Sequence, residues 1–326
     1  MFTNIDASGP ALALFPASQR VTYLYYLGRF SFENNSFQRA ARCLEAAYFQ
    51  TPPAFQKHRR LILTYLIPSN ILLGRLPSNA LLLRPEAAPT LRPVFAPLAA
   101  ALRAGNFVAF QAVLKAHEHW LFARGQLITL GYRLRPLLWR SLSRRTFLLT
   151  YVPPPPDPVD SNNTAPAEKR RGPIPTLDLA DLAAAASFQQ KLLEGYVPAH
   201  PAPRPRAPHT NALFMKAVRN SAPAGGASTL APPPGGPRRL RPSEGVLHGN
   251  LPVDGPEVEA TVASLVAQGL LHGYVAHAAA KFAVVGAKQK PSAVVAGWPP
   301  AAAAIQARLN EAGDGGDDVP AWVVRS

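Results

Sequence analysis

Twenty-one of the thirty-six prolines in this chain fall between Pro153 and Pro256. Each proline removes a backbone donor and fixes φ, so neither a long helix nor an inner strand passes through such a stretch. The 326 residues therefore divide into two folded parts with one short exception between them. Residues 153–172 read as a Pro-rich linker. Residues 173–194 place Leu177, Leu182 and Phe188 at helical spacing and read as an island of helix, the first helix of the C-terminal domain, with residues 174–188 expected to pack against Val258–Val266. Residues 195–252 are rich in Pro, Gly, Ala and Arg, a composition that buries too little apolar surface to fold, and are expected to be disordered.

Upstream of the prolines the periodicity is helical. After an extension of residues 1–20, one apolar face runs through Val21, Leu24, Tyr25, Gly28 and Phe32. Asn34-Asn35 breaks it, and a second face follows in Phe37, Ala40, Ala41, Leu44, Ala47 and Tyr48. Small Gly28, Ala40 and Ala47 let two helices approach closely while large groups fill the gaps. That is the pattern of a tetratricopeptide-type hairpin, with Ser31 at the usual Tyr position as a departure. A third helix, about 57–73, contains Pro68, which is expected to kink it or end it early. Val94–Arg103 and Phe107–Leu121 form another hairpin about Gly105-Asn106. A further helical run reaches Thr150, with interruptions near Gly125 and Arg135-Pro136, so the helical-repeat part spans residues 21–152.

Downstream, residues 253–300 show a different pattern. Asp254 and Glu257 make a capping-box-like pair, and Pro256 is tolerated in a first turn. Val258, Val262, Leu265 and Val266 then share one helical face, and Gly269 stops the helix. Two short β-prone runs, Leu271–Val275 and Phe282–Val285, read as a hairpin. Helix, stop and basic hairpin match the back half of a winged helix; they also fit a plain helix and hairpin inside a larger core. Residues 301–326 add a short helix and an acidic, Gly-rich tail.

The formal charge of +15 favours an anionic partner. Its distribution says more than its total. No Asp or Glu occurs between Glu118 and Asp157, where Arg124, Arg133, Arg135, Arg140, Arg144 and Arg145 lie. None occurs between Glu259 and Glu311 either, where Lys281, Lys288, Lys290 and Arg308 lie. A solvated helix face normally mixes signs, so one-signed stretches point to a positive surface. Arg133, Arg135, Arg140, Arg144, Arg145, Lys281, Lys288 and Lys290 are the candidate phosphate-binding residues. Tyr132, Trp139 and Tyr274 are interleaved with them, with stacking on bases or burial as their two fates. A surface serving solubility alone is the competing reading.

Signs of catalysis are missing from the sequence. It has no Gly-x-Ser-x-Gly elbow and no phosphate-cradling Gly-x-x-x-x-Gly-Lys loop. His117-Glu118-His119 lacks the downstream Asp that a signalosome-type metalloprotease needs, and His272 and His277 have no Cys or carboxylate close by in sequence. No catalytic residue, metal or cofactor is therefore expected. Cys43 is the only cysteine, cannot form an internal disulfide, and sits on an apolar helical face as an inert thiol. No apolar run is long enough to span a bilayer, so no membrane partner is expected.

Several blocks, taken in order, resemble one family. They are Tyr25-Tyr26-Leu27-Gly28, Arg60–Pro68, Leu73-Gly74-Arg75-Leu76-Pro77-Ser78, Leu102–Asn106 and Gly273-Tyr274-Val275-Ala276-His277. Together they are similar to PCI-domain proteins of the Thp type, signalosome-like subunits related to the TREX-two mRNA-export complex. The resemblance implies a mainly α fold, stacked helical hairpins followed by a C-terminal winged helix. It implies a non-catalytic scaffold that binds RNA or DNA through the phosphate backbone in a nuclear complex coupling transcription to mRNA export. Two protein partners follow: a larger PCI-type scaffold subunit, and a small acidic disordered subunit shared with the proteasome lid. Tyr274, Val275, His277 and Phe282 are the implied partner-binding residues. The nucleus is the implied compartment, with the cytoplasm as a second one. The alternative is a protein-interaction subunit of a COP-nine signalosome-like assembly that does not touch nucleic acid. Three departures stand out: relatives carry further helical repeats before the Tyr-Tyr-Leu-Gly block, residues 195–252 interrupt the winged helix, and the hairpin loop is the apolar Ala278-Ala279-Ala280.

Overall fold

The computed structural model describes residues 11–152, 174–198, 230–287 and 292–311. The expected linker at 153–172 lies outside them. The chain is mainly helical and divides into two compact units, residues 1–138 with 300–326, and residues 139–299.

The first unit is a succession of helices. Helices α1 (Ala17–Glu33) and α2 (Phe37–Gln50) form the expected hairpin, turned by Asn35 at φ 64°. Gly28 is required by packing: a Cβ there would sit 2.5 Å from Leu44 Cγ. Ala40, Ala47 and Leu44 are fully buried at the same seam, and so is the Cys43 thiol, whose pKa burial pushes up to about 12. Helix α3 (Gln56–Leu72) follows and does not stop at Pro68.

Proline has no N–H, so the carbonyl four residues earlier, that of Thr64, loses its intrahelical donor. The side-chain amide of Gln126 supplies one: Nε2 donates to Thr64 O at 2.9 Å, and Gln126 is fully buried. A residue sixty-two positions away thus repairs the helix, which is why α3 continues where the sequence pattern suggested an end.

The rest of this unit comprises α4 (Asn79–Leu82), α5 (Arg92–Ala104), α6 (Phe107–Ala116), α7 (Glu118–Phe122), α8 (Leu127–Arg133) and the start of α9 (Arg135–Thr150). The α5–α6 hairpin forms as expected, with Gly105 left-handed and Asn106 Oδ1 accepting from Ala109 N–H. Its second arm is shorter than the pattern suggested and breaks at His117. A polar clamp ties α2, α3 and the turn before α5. Tyr48 Oη donates to Glu86 Oε1 at 2.6 Å, Arg59 Nη1 donates to the same oxygen, and the Arg59 guanidinium lies 4.2 Å over the Tyr48 ring. The last helix, α13 by order in the chain, spans Ala301–Glu311 and starts against Gly74.

The second unit holds the C-terminal part of α9, then β1 (Thr176–Asp178), α10 (Leu179–Leu193), β2 (Val197–Pro198), β3 (Leu230–Ala231), α11 (Gly255–Ala267), β4 (Gly273–Ala276), β5 (Lys281–Val284) and α12 (Ala293–Gly297). Its main sheet is antiparallel in the order β1-β5-β4, with Leu177 and Val275 both opposite Phe282. Helix α10 packs on α11, giving the helices-and-wing arrangement expected from residues 253–300. Gly273 admits no side chain, because a Cβ would press to 2.7 Å from the Phe282 ring.

Two expectations are corrected here. Residues 173–194 are not one helix: Thr176–Asp178 pair with β5, and Asp178 then caps α10 by accepting from Ala180 N–H. Nor is the 195–252 insert wholly unstructured. Its residues 199–229 lie outside the described set, but 230–251 form a packed loop on α10. The buried Gln190 organises it, accepting from Val246 N–H and donating to Gly249 O. Asn250 closes it by accepting from Leu240 N–H and donating to Arg238 O. One buried amide supplies the order that composition alone does not reveal.

Two outcomes follow for the first unit. Gln126→Leu is expected to cost about 1–3 kcal/mol, the cost of leaving the Thr64 carbonyl unpaired. In a Pro68→Ala background, where residue 68 regains an N–H, the same change should cost clearly less. Urea unfolding of the four proteins measures the coupling, and equal costs in both backgrounds would refute the repair. Glu86 gives the second. Burial raises its carboxyl, but the Tyr48 hydroxyl, its own backbone N–H and the Arg59 and Arg84 charges outweigh that, leaving the pKa below the ordinary value. A depressed carboxylate stabilises above its unfolded pKa, so this contribution is lost as pH falls below about 4.5. Glu86→Gln should lower stability at neutral pH by about 2 kcal/mol and flatten the acid limb of the unfolding profile.

Candidate nucleic-acid and partner interface

Helix α9 decides which arginines reach solvent. Its residues Leu138, Trp139, Leu142, Ser143, Thr146 and Phe147 are buried, while Arg144, Arg145, Leu148 and Leu149 are exposed. The buried side is organised around Trp298 at the end of α12. The Trp298 indole packs 4.8 Å from Phe147 and 5.9 Å from Phe282, centroid to centroid, and its Nε1–H donates to Ser143 Oγ at 3.0 Å. Arg140, on the same side of α9, donates from Nη2 to the carbonyls of Trp298 and Pro299. Burial lowers its pKa, with the Arg144 charge acting in the same direction. Arg140 is thus a capping group for the chain after α12, and its donors point inward.

The other candidates fare differently. Arg144 and Arg145 are adjacent and exposed near the end of α9. Lys281 is exposed on β5. In the first unit, Arg133 is exposed with its guanidinium 5.4 Å from the Phe37 centroid. Arg135 lies 5.8 Å from the Tyr132 centroid, and burial lowers its pKa. Lys288 and Lys290 lie outside the described residues. Of the interleaved aromatics, Trp139 is buried, while Tyr132 and Tyr274 are partly exposed.

The partner-binding set also divides. Tyr274 is half exposed and Val275 intermediate, both on β4, which forms one edge of the sheet. His277 is exposed, and its Nδ1 lies 2.7 Å from Glu259 Oε1 of α11, eighteen residues earlier in the chain. Phe282 is corrected: it is 0% exposed, wedged between Leu177, Val275 and Trp298, so it belongs to the core. A pattern of alternating β residues cannot show that β5 is the central strand; the pairing with β1 does, and β1 lies more than a hundred residues upstream.

One feature of the wing bears directly on nucleic acid. Helix α11 exposes Gly255, Pro256, Glu257, Ala260, Ala263, Ser264 and Ala267 and carries no Lys or Arg. A helix with an acid in its first turn and no cations offers little to duplex phosphates or base edges. Among the described residues there is no group of three His, Cys, Asp or Glu side chains that could hold a metal, and no helix long and apolar enough to cross a membrane.

Known proteins are similar to part of this chain. A PCI domain-containing protein 2 homolog of Drosophila melanogaster is 34% identical over 135 residues, 41% of this chain and 33% of that protein. The PCI domain-containing protein 2 of Danio rerio is 32% identical over 132 residues, 40% of this chain and 32% of its own length. A protein CSN12 homolog of Schizosaccharomyces pombe is 34% identical over 141 residues, 43% of this chain and 32% of that protein. These similarities support a PCI-domain protein. No protein-family model matches the chain. The chain spans about a third of the length of these curated relatives. None of the three is named for a catalytic activity.

The hub and the exposed arginines should separate cleanly by mutation. Trp298→Ala is expected to destabilise the second unit by about 3–5 kcal/mol, because it removes the ring that packs on Phe147 and Phe282. Arg144→Ala, on the exposed side of the same helix, should change stability by less than about 0.5 kcal/mol. Thermal unfolding followed by tryptophan fluorescence and circular dichroism measures both.

Proposed function

We propose that this chain is a non-catalytic scaffold subunit of a signalosome-like assembly, and that it binds RNA or DNA without sequence preference. The observation that carries the scaffold reading is the combination of helical hairpins and a helix-and-sheet wing in a chain similar to PCI domain-containing and CSN12 proteins. The nucleic-acid part rests on the exposed Arg144-Arg145 pair in a stretch without acids, supported by exposed Lys281 and Arg133. Backbone charge contacts of this kind carry no base information, and the cation-free α11 face supports the same lack of sequence preference. The resemblance of the sequence blocks to Thp-type proteins supports a nuclear complex of the TREX-two kind, coupling transcription to mRNA export. Its partners would be a larger PCI-type scaffold and the small acidic subunit shared with the proteasome lid. The edge strand β4, with Tyr274 half exposed, is the surface we assign to those protein contacts.

A second reading has its own support. The small, uncharged residues Ala260, Ala263 and Ala267 on α11 suit contact with protein better than with phosphate. That favours a COP-nine signalosome-like subunit that does not touch nucleic acid. Electrophoretic mobility shift with a generic single strand and a duplex, at low and physiological salt, separates the two readings. Under the first, Arg144→Glu with Arg145→Glu weakens binding to all sequences alike. It also reduces the log–log salt slope by about one unit for each phosphate that is no longer neutralised. Absence of any shift by the wild-type chain at low salt would leave only the second reading.

A further inference from the structure

The start of α11 leaves an aspartate and the amide after it unused. The sequence pattern suggests Asp254 as a cap, yet its side chain makes no capping hydrogen bond, and Asp254, Gly255, Pro256 and Glu257 are all exposed. Gly255 opens the first turn, where a backbone N–H has no acceptor within the helix. A Cβ built on Gly255 would meet nothing within 4 Å, so the space beside it is open. The other two aspartates among the described residues differ. Asp178 accepts from Ala180 N–H, and the N–H of the following Leu179 donates to Ala280 O. Asp181 is followed by the buried Leu182, whose side chain crowds its own nitrogen.

We propose that Asp254-Gly255 is a site of spontaneous backbone isomerisation, where aspartate converts to isoaspartate. The Gly255 nitrogen attacks Cγ of the Asp254 carboxyl. A new N–Cγ bond forms, the carboxyl loses its hydroxyl, the nitrogen loses its proton, and the two leave as water. Water then opens the resulting five-membered succinimide. Opening at the side-chain carbonyl restores aspartate; opening at the main-chain carbonyl leaves the chain running through Cβ, as isoaspartate. Nothing is oxidised or reduced, and water is the sole co-reactant. The fold permits the first step in two ways. Glycine places no Cβ against the carboxyl as the ring closes. The extended ψ of 167° at Asp254 keeps nitrogen and carboxyl apart, so the peptide plane between them must swing. That motion breaks one hydrogen bond, Val258 N–H to Asp254 O, in an exposed first turn, and Gly255 is free to take the compensating φ. The product carries an extra methylene in the main chain at the entry to α11 and moves the Asp254 carbonyl away from Val258. Val258, Val262 and Leu265 are buried and hold the rest of the helix, so the change stays in the first turn.

Peptide mapping of the full chain after prolonged incubation in neutral buffer at physiological temperature tests this. Isoaspartate is read by methyl transfer from labelled S-adenosylmethionine with an isoaspartyl methyltransferase, then located by mass spectrometry. The sequence holds one other Asp-Gly pair, Asp314-Gly315, which serves as the internal comparison. A synthetic peptide of residues 249–259 gives the rate without the fold. Isoaspartate at position 254 should accumulate in the folded chain about as fast as in the peptide. Asp254→Glu should lose the signal at 254, because closure would then need a six-membered ring. Gly255→Ala should slow it, while Asp314 reacts as in the wild type. Both positions are exposed, and a Cβ at 255 meets no neighbour, so circular dichroism should show both variants folded. If the peptide converts while position 254 of the folded chain does not, the first turn shields the pair and the proposal is overturned. Absence of product at 254 in both, or conversion that Gly255→Ala leaves unchanged, overturns it as well.

Discussion

The contact of Trp298 with α9 is the constraint on which the second unit depends. One indole ring meets Phe147 on one side and Phe282 on the other, and its N–H closes on Ser143. That arrangement sets the rotation of α9 about its axis. With positions 139, 143 and 147 turned inward, positions 144, 145, 148 and 149 must face out, because a helix advances about 100° per residue. Arg140 falls on the inner side and is used to hold carbonyls, while Arg144 and Arg145 face solvent. The same tryptophan therefore builds the core and selects the available cations.

The helical unit depends on a different device, polar groups buried only where each finds a partner. Pro68 would be a defect in α3 if Gln126 did not supply the missing donor. Glu86 would be costly if Tyr48 and Arg59 did not meet it. Both repairs link residues far apart in sequence, so they lock the stacking register more firmly than apolar packing, which tolerates sliding. Gly28 has the complementary role of bringing α1 and α2 close enough for Leu44 to fill the seam.

These two kinds of packing leave surfaces of opposite character. The wing offers an edge strand and a helix without cations, features suited to protein contacts. The exposed Arg144 and Arg145 of α9 offer positive charge.

Much of this was legible in the sequence. The α1–α2 and α5–α6 hairpins follow from local periodicity and from Asn35, Gly105 and Asn106 at the turns. The helix and hairpin of residues 253–300 follow from spacing, although Asp254 makes no side-chain capping hydrogen bond on α11, and the acid-free windows follow from simple counting. All of these are local properties, carried by residues a few positions apart. Tertiary structure alone decided the rest. Continuation of α3 past Pro68 required Gln126. Strand β1, three residues long, required β5 as its partner, and that pairing buried Phe282. The loop at 230–251 required Gln190, and the inward turn of Arg140 required Trp298. In each case the deciding partner lies more than fifty residues away. Periodicity and charge determine what a segment can form and which sign it presents; a distant hydrogen-bond or packing partner determines which side chains are used up inside and which remain for function.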